Sequence, residues 1–286
     1  MRLIVSSDLH GDVAAYRALL ELAAERGGGA VVVSGDLLPH TAHVASAIAT
    51  QRAFIHEQLA PLLRSFRSAN PSTMIYLLAG NDDWAAAVAD LAAIERDGLA
   101  IALHRRVVRL GDPADDRWLA GLAYVPVTPF SIKDYERRDE LAMPPYSFAM
   151  AYVSDGGAAR PVSADELAAR PSIADELADL ARQSDPRRTV YVCHTPPHGT
   201  ALDTMPRGRH VGSRALRAFI ERHAPPLTLH GHIHESPALS GRFAERIGPT
   251  WSVNGGSDGI RLHAVVIDLD GDLRLEHTIY GLAEVS

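Results

Sequence analysis

Five short apolar runs in this chain each end in residues that can bind a cation or move a proton. Asp8 and His10 follow Leu3-Ile4-Val5, and Gly35 and Asp36 follow Ala30-Val31-Val32-Val33. Gly80, Asn81, Asp82 and Asp83 follow Met74-Ile75-Tyr76-Leu77-Leu78, His194 comes soon after Thr189-Val190-Tyr191-Val192, and Gly231-His232-Ile233-His234 comes after Leu227-Thr228-Leu229. Imidazole nitrogen mixed with carboxylate and amide oxygen suits borderline divalent ions, and such ions activate water against phosphate esters. Each cluster alone has a plainer reading. Asp8 and His10 read as helix caps, the Gly35 and Gly80 clusters as turns, and His194 as a hydrogen-bonded core histidine. Two histidines two apart behind a glycine are the strongest single signal of metal ligation among the five.

The elements that must position these residues follow from the apolar spacing. Residues 3–5 read as a strand and residues 13–26, with apolar positions at helical spacing, as a helix. The unit returns as a strand at 30–33 with a helix within 42–66, and as a strand at 74–78 with a helix at 84–95. Such βαβ alternation predicts an α/β fold with buried strands. In open α/β sheets, sites form beyond the carboxyl ends of the strands, so clusters far apart in sequence are expected to converge.

Residues 99–103 and 107–110 read as shorter strands, followed by the apolar run 118–122. The stretch from 126 to about 160 carries Pro126, Pro129, Pro144 and Pro145 together with Phe130, Tyr135, Tyr146, Phe148 and Tyr152. It is expected to be an ordered lid or interface insertion rather than a linker. Residues 164–183 read as a helix broken near Pro171, and residues 213–222 as another. Strands at 265–267 and 273–278 flank Asp270-Gly271-Asp272, the signature of an antiparallel hairpin.

The 286 residues, 47% hydrophobic and 22% charged, suffice for one large α/β domain over 1–286 with a sizeable core. A formal charge of -7 argues against a broad basic face for nucleic acid, yet leaves a nuclease open, because metal ions supply local positive charge. Cys193 is the only cysteine, so no intramolecular disulfide forms, and it reads as a small core residue. No stretch has the length of a signal peptide or a membrane span, which gives a cytoplasmic reading with no membrane partner. Arg207, Arg209, His210, Arg214 and Arg217 read either as phosphate holders or, more often for such runs, as solvated surface. His40, His43, His56, His104, His223, His263 and His277 have no motif context, while His230 sits beside Gly231 in support of the ligand strand. Oligomeric state, including a homo-oligomer, is left open.

The ordered series Asp-x-His, Gly-Asp, Gly-Asn-x-Asp, His, Gly-His-x-His resembles the calcineurin-like metallophosphoesterase superfamily over residues 3 to about 236. Within it, residues 126–139 and Thr195-Pro196-Pro197-His198-Gly199-Thr200 look like a small bacterial subgroup. The resemblance implies a four-layer α-β-β-α sandwich of two mixed sheets flanked by helices, with the site at one edge. It implies hydrolysis of a phosphate ester on a small phosphorylated or nucleotide substrate, by in-line attack of a metal-bridging hydroxide. Two divalent ions (Mn, Fe or Zn) would be bound, one by Asp8, His10 and His234, the other by Asn81, His194 and His232, with Asp36 bridging.

The sequence departs from the family at Asp82, where many members have a histidine thought to protonate the leaving group. A carboxylate beside a dication stays ionised and is a poor acid. Departure is then unassisted, which favours a phosphodiester with a small or activated leaving group, or another residue donates. His198 is the nearest candidate in sequence and reads equally as an organiser of its Pro-rich loop. The rivals are a nuclease or nucleotide pyrophosphohydrolase, set by whether residues 126–160 leave a groove or a pocket, and a non-catalytic module keeping the fold. Seven competent ligand positions argue against the last.

Overall fold

Three apolar pentapeptides set the frame because each is buried on both faces. β1 (Arg2–Ser6), β2 (Ala30–Ser34) and β3 (Met74–Leu78) lie parallel in the computed structural model, which describes residues 1–41, 43–111, 116–140 and 150–283. Successive side chains of a strand point to opposite faces. Leu3, Val5, Val32 and Leu78 therefore enter one core, and Ile4, Val31, Val33 and Leu77 another. Helices α1 (Val13–Glu25), α2 (Val44–Phe54) and α3 (Ala60–Ala69) close the second core through Tyr16, Leu19, Phe54 and Leu63. Between α2 and α3 the chain makes one wider π turn, Ile55–Leu59, so the helix expected within 42–66 is a continuous helical run ending at Ala69.

A second sheet closes the first core. After β4 (Ile101–Ala102) come β5 (Arg106–Arg109), β6 (Trp118–Leu122), β7 (Thr189–Cys193), β8 (Leu227–His230), β9 (Ala244–Ile247) and β10 (Thr250–Asn254). β11 (Val265–Asp268), β12 (Arg274–His277) and β13 (Gly281–Leu282) return to the first sheet. The first sheet has the order β13-β12-β11-β1-β2-β3-β4 and the second β9-β10-β8-β7-β6-β5. α4 (Ile173–Ala181) and α5 (Arg214–His223) cover the second sheet, where Tyr191 meets Phe219 edge-on at 4.9 Å between ring centroids. The result is the expected α-β-β-α sandwich of two mixed sheets.

Several local expectations change. The helix at 84–95 is two short pieces, Ala85–Val88 and Leu91–Arg96, and the strand at 99–103 keeps only two residues. The β9/β10 pair adds to the expected strands; in β10 the polar Thr250, Ser252 and Asn254 are as fully buried as the apolar Trp251 and Val253 between them. The hairpin at 265–278 forms as expected.

The segment after Val125 is built, not irregular. Val125–Pro126 pairs with Glu136–Arg137, and Tyr152–Asp155 with Ala158–Pro161. Buried charges pin it to the sandwich. Lys133 Nζ donates to Glu136 at 2.7 Å, and Asp134 accepts from Ala85 N at 2.8 Å and Ser154 N at 2.9 Å. Asp139 accepts from the backbone of Arg214 at 2.6 Å, reinforcing the Ser213 cap of α5. Pro144, Pro145, Tyr146 and Phe148 lie outside the described residues. No helix among the described residues is long and apolar enough to cross a membrane.

His277, 2% exposed, donates from Nε2 to Gly255 O at 2.9 Å and accepts at Nδ1 from Ile279 N at 2.9 Å. Burial pushes its pKa down to about 4. Because the folded value lies below the unfolded one, the unfolded chain binds the extra proton as pH falls. The stability contributed is full above the unfolded value of ~6.5 and is lost on acidification toward the folded value. Resistance to urea should therefore weaken between pH 7 and 5, and the slope of stability against pH should be smaller by up to ~1.4 kcal/mol per pH unit in His277→Gln. Equal slopes in the two proteins would exclude His277 as a source of acid sensitivity.

Candidate metal centre

The ends of β1, β2 and β3 in one sheet and of β7 and β8 in the other open onto the same edge of the sandwich. Among the described residues, seven non-glycine positions have positive φ, and four of them are candidate ligands: Asp8 (56°), His10 (43°), Asp36 (51°) and His232 (67°). Such left-handed backbone costs roughly 1–2 kcal/mol per residue and persists only where surrounding bonds enforce it. Those bonds tie the loops to one another: Asp8 N donates to Gly35 O at 2.9 Å, His10 N to Asp36 O at 3.0 Å, and Gly231 N to His194 O at 3.0 Å. The cap of α1 is Asp12, whose side chain accepts from Ala14 and Ala15. Asp8 and His10 are thus free of capping and turn their side chains to the centre.

One donor atom each from Asp8, His10, Asp36 and His234 lies within 4.8 Å of the others, a group able to hold a cation. Asp8 Oδ1 is 2.9 Å from His234 Nε2, and His10 Nε2 is 3.5 Å from His234 Nε2 and 4.0 Å from Asp36 Oδ2. A second set adjoins the same carboxylate of Asp36. His194 Nε2 is 3.3 Å from Asp36 Oδ2, and the His194 and His232 rings are 5.3 Å apart. His194 Nδ1 donates to Ser34 O at 2.9 Å, which turns Nε2 into the centre, where it makes no hydrogen bond. Asn81 Oδ1 is also buried without a partner. Two orphaned donors beside a carboxylate fit a second cation of the same borderline type.

The glycines that precede the ligands make this approach possible. A Cβ on Gly35 would fall 1.9 Å from His194 Nδ1, one on Gly80 2.1 Å from Asp36 Oδ1, and one on Gly231 2.6 Å from Asp8 Oδ2. The Gly-Asp, Gly-Asn and Gly-His pairs are therefore sites of close packing between strand ends. Asp83 clamps two of these loops, accepting from Leu37 N, Leu38 N and Gly80 N at 2.8–3.0 Å. Burial, then the charge of Asp36, pushes its carboxyl up to about 8 against those donors.

The charges are mutually dependent. Burial alone would favour neutral forms, but His234, His194 and His10 outweigh it and hold Asp8 far below the usual carboxylate range. Against the same burial penalty, His194 is raised to about 9 by Asp36 and Asp8, and Asp8 raises His234 to about 9. Burial, then His194, lowers His232 to about 3. Counted with protein charges alone, two imidazoliums balance two carboxylates, and a cation held by the same atoms would replace those protons.

Asp82, 22% exposed, lies at the rim. Its Oδ1 accepts from Asn81 Nδ2 at 3.1 Å, and its Oδ2 is 3.9 Å from His10 Nδ1 and 3.6 Å from His40 Nδ1. Burial, then the charge of Asp36, raises its pKa. His198 is placed differently: its backbone N donates to Ser213 O at 3.0 Å, and its ring lies 6.1 Å from that of His210, on the short strand Arg209–His210 that pairs with Thr204–Met205. Cys193 is 1% exposed in the core, and burial pushes its thiol up to about 12. His230 Nδ1 donates to Cys193 O at 2.9 Å and so holds the end of β7 from which His194 projects. Of the arginine cluster, Arg209 lines a cavity at the site, whereas Arg217 pairs with Glu221.

Three contributors had no role in the sequence reading. The Ser34 carbonyl and the His40 ring carry no local signal, since both matter through partners distant in sequence. Asp83 was visible as a second acid behind Asn81. Two cavities meet at His234. One, of about 650 Å³, is lined by Asp8, His10, Asp12 and residues 257–263; the other, of about 360 Å³, by Asp36, Asn81, Asp82, residues 126–130, Met205 and Arg209.

A family model described as calcineurin-like phosphoesterase matches residues 1–236. The fold is similar to that of TT1561 from Thermus thermophilus, with TM-score 0.57 and 18% identity over 96% of this chain and 98% of that one. It is also similar to a dimetal phosphatase from Danio rerio, with TM-score 0.55 and 11% identity over 97% and 95% of the two chains. No curated protein matches the sequence.

Proposed function

The chain belongs to the calcineurin-like phosphoesterase family, and from that premise we propose that it hydrolyses a small phosphodiester at a two-metal centre. Asp8, His10 and His234 would hold one ion and Asn81, His194 and His232 the other, with Asp36 between them. The mixed imidazole, carboxylate and amide donors suit Mn, Fe or Zn. Two such ions supply a water activated near neutral pH and positive charge against the phosphoryl oxygens. The chain's own residues orient that chemistry. Ser34 O fixes the His194 tautomer, and Asp82 holds the Asn81 amide with its oxygen free. The Asp83 clamp keeps the Asp36 and Asn81 loops together.

The observation that carries the diester reading is the pair of cavities on two sides of His234. A diester phosphorus carries two organic arms, and each cavity would take one; a monoester would leave one of them unused. The wall at residues 126–130 belongs to the insertion, which here would select the arm. Purified protein supplied with Mn²⁺, offered matched aryl mono- and diesters, should show kcat/KM at least about tenfold higher on the diester, or ~1.4 kcal/mol in transition-state binding. A preference for the monoester would overturn the diester assignment.

A further inference from the structure

Of the seven large apolar side chains that are exposed among the described residues, three line the two cavities at the centre: Phe130 (55%) and Val211 (36%) the smaller, Ile260 (89%) the larger. Apolar surface left open beside a reacting centre marks a ligand subsite, because it gains by burial only when something fills it. The smaller cavity has two walls held in place from behind. On one, Thr128 leads the chain into Phe130; its N donates to Glu136 at 2.8 Å and its carbonyl accepts from Lys133 Nζ at 2.9 Å, both charged side chains being fully buried. Phe130 N donates in turn to Thr128 Oγ1 at 3.1 Å. On the other wall, Arg209–His210 pairs with Thr204–Met205, with Met205 opposite Arg209. His210 Nδ1 is 2.7 Å from Oδ1 of the fully buried Asp203, so strand alternation turns Met205, Arg209 and Val211 to the cavity. Asp203 also accepts from the backbone N of Gly199, Thr200 and Gly212 at 2.9–3.1 Å, which fixes the hairpin. Walls already in place bind a ligand without a further ordering cost.

Asp36, Asn81 and His232 line the same cavity, so it continues directly from the place a phosphorus would occupy at the centre. We propose that this slot takes an aromatic arm of the diester, with Phe130 as the residue that sets the specificity. Arg209 decides for an aromatic over an alkyl arm. Among the described residues it makes no ion pair, and a guanidinium without a carboxylate partner is attracted to a ring face, while Phe130 offers a second ring to stack on or meet edge-on. The larger cavity, with Ser7, Asp12, Asp258 and Arg261 in its wall, is left to the other arm, which is polar. The inference rests on the hydrolytic reading above and deepens it to a substrate class: a phosphodiester with one ring-bearing arm and one polar arm.

The test measures by calorimetry the Kd of benzyl methyl phosphate, cyclohexylmethyl methyl phosphate and dimethyl phosphate for the full chain with Mn²⁺, beside turnover of bis(p-nitrophenyl) phosphate and metal content. The benzyl ester should bind at least about tenfold more tightly than dimethyl phosphate, or ~1.4 kcal/mol, and about threefold more tightly than the cyclohexylmethyl ester. Phe130→Ala should bring the benzyl ester to within about threefold of dimethyl phosphate at equal metal content, whereas Phe130→Tyr, which keeps the ring, should keep the gain. Ile260→Ala, in the larger cavity, should also leave the gain in place. Three results would overturn the slot while hydrolysis of bis(p-nitrophenyl) phosphate stands: no gain for the benzyl ester, equal affinity for the benzyl and cyclohexylmethyl esters, or a gain that Ile260→Ala removes and Phe130→Ala does not. A protein that turns over no ester would overturn the hydrolytic reading, and with it the claim that the bound ring belongs to a substrate.

Discussion

Asp36→Asn should lower turnover by at least about 10³-fold, or ~4 kcal/mol in barrier, and reduce bound metal from two equivalents to one or fewer. Asp36 is 2% exposed and lies between the two donor sets, with Oδ2 3.3 Å from His194 Nε2 and 4.0 Å from His10 Nε2. An amide keeps the size and the bond that Oδ1 accepts from Asp82 N at 2.9 Å, but it loses the charge that two cations would share. It also removes the charge that raises His194. Metal content by mass spectrometry and kinetics on the preferred ester read the two effects separately, and circular dichroism checks that the variant folds. Full turnover with two metals still bound would rule out a bridging Asp36.

Gly80→Ala should be nearly as damaging although it adds one methyl group and removes no donor. The new Cβ would fall 2.1 Å from Asp36 Oδ1, 2.4 Å from Asp36 N and 2.6 Å from His194 Nε2. Backbone and two ligands crowd that point, so no flexible side-chain end can move aside. The cores should still form, because Gly80 itself belongs to neither apolar cluster, although Ala79 beside it belongs to the first. The expected outcome is a folded protein with metal affinity reduced by about 100-fold, or ~2.7 kcal/mol, and activity reduced to match. Gly29→Ala is the control, since its nearest neighbour would be the Met1 side chain at 3.5 Å. A Gly80→Ala protein that binds metal and turns over like wild type would show that the loops can part without loss, against the close packing described above.

The residues alone marked the strand ends where candidate donors sit. Apolar runs that end in Asp, His, Asn and Gly mark strand ends whatever the surrounding topology, because burial of a strand on both faces needs an unbroken apolar stretch and its exit needs polar groups. Asp8, Asp36 and His194 were therefore legible as types at positions. Their plainer readings were settled by neighbours: Asp12 caps α1, and Gly35, Gly80 and Gly231 are small because another strand end presses on them. The β9/β10 pair carries no such run, because buried β10 alternates Thr250, Ser252 and Asn254 with Trp251 and Val253.

What the tertiary structure alone decided is adjacency. Nothing local in the sequence says that β8 and β7 end opposite β1 and β2, that Ser34 holds His194, or that His40 reaches Asp82 across 42 positions while His198, four residues from His194, packs near His210 on the Thr204–His210 hairpin. Spacing along the chain governs contacts within a helix or a turn. Contacts between strand ends depend on sheet order and on the close packing of two sheets, and those are set by the whole set of buried side chains at once.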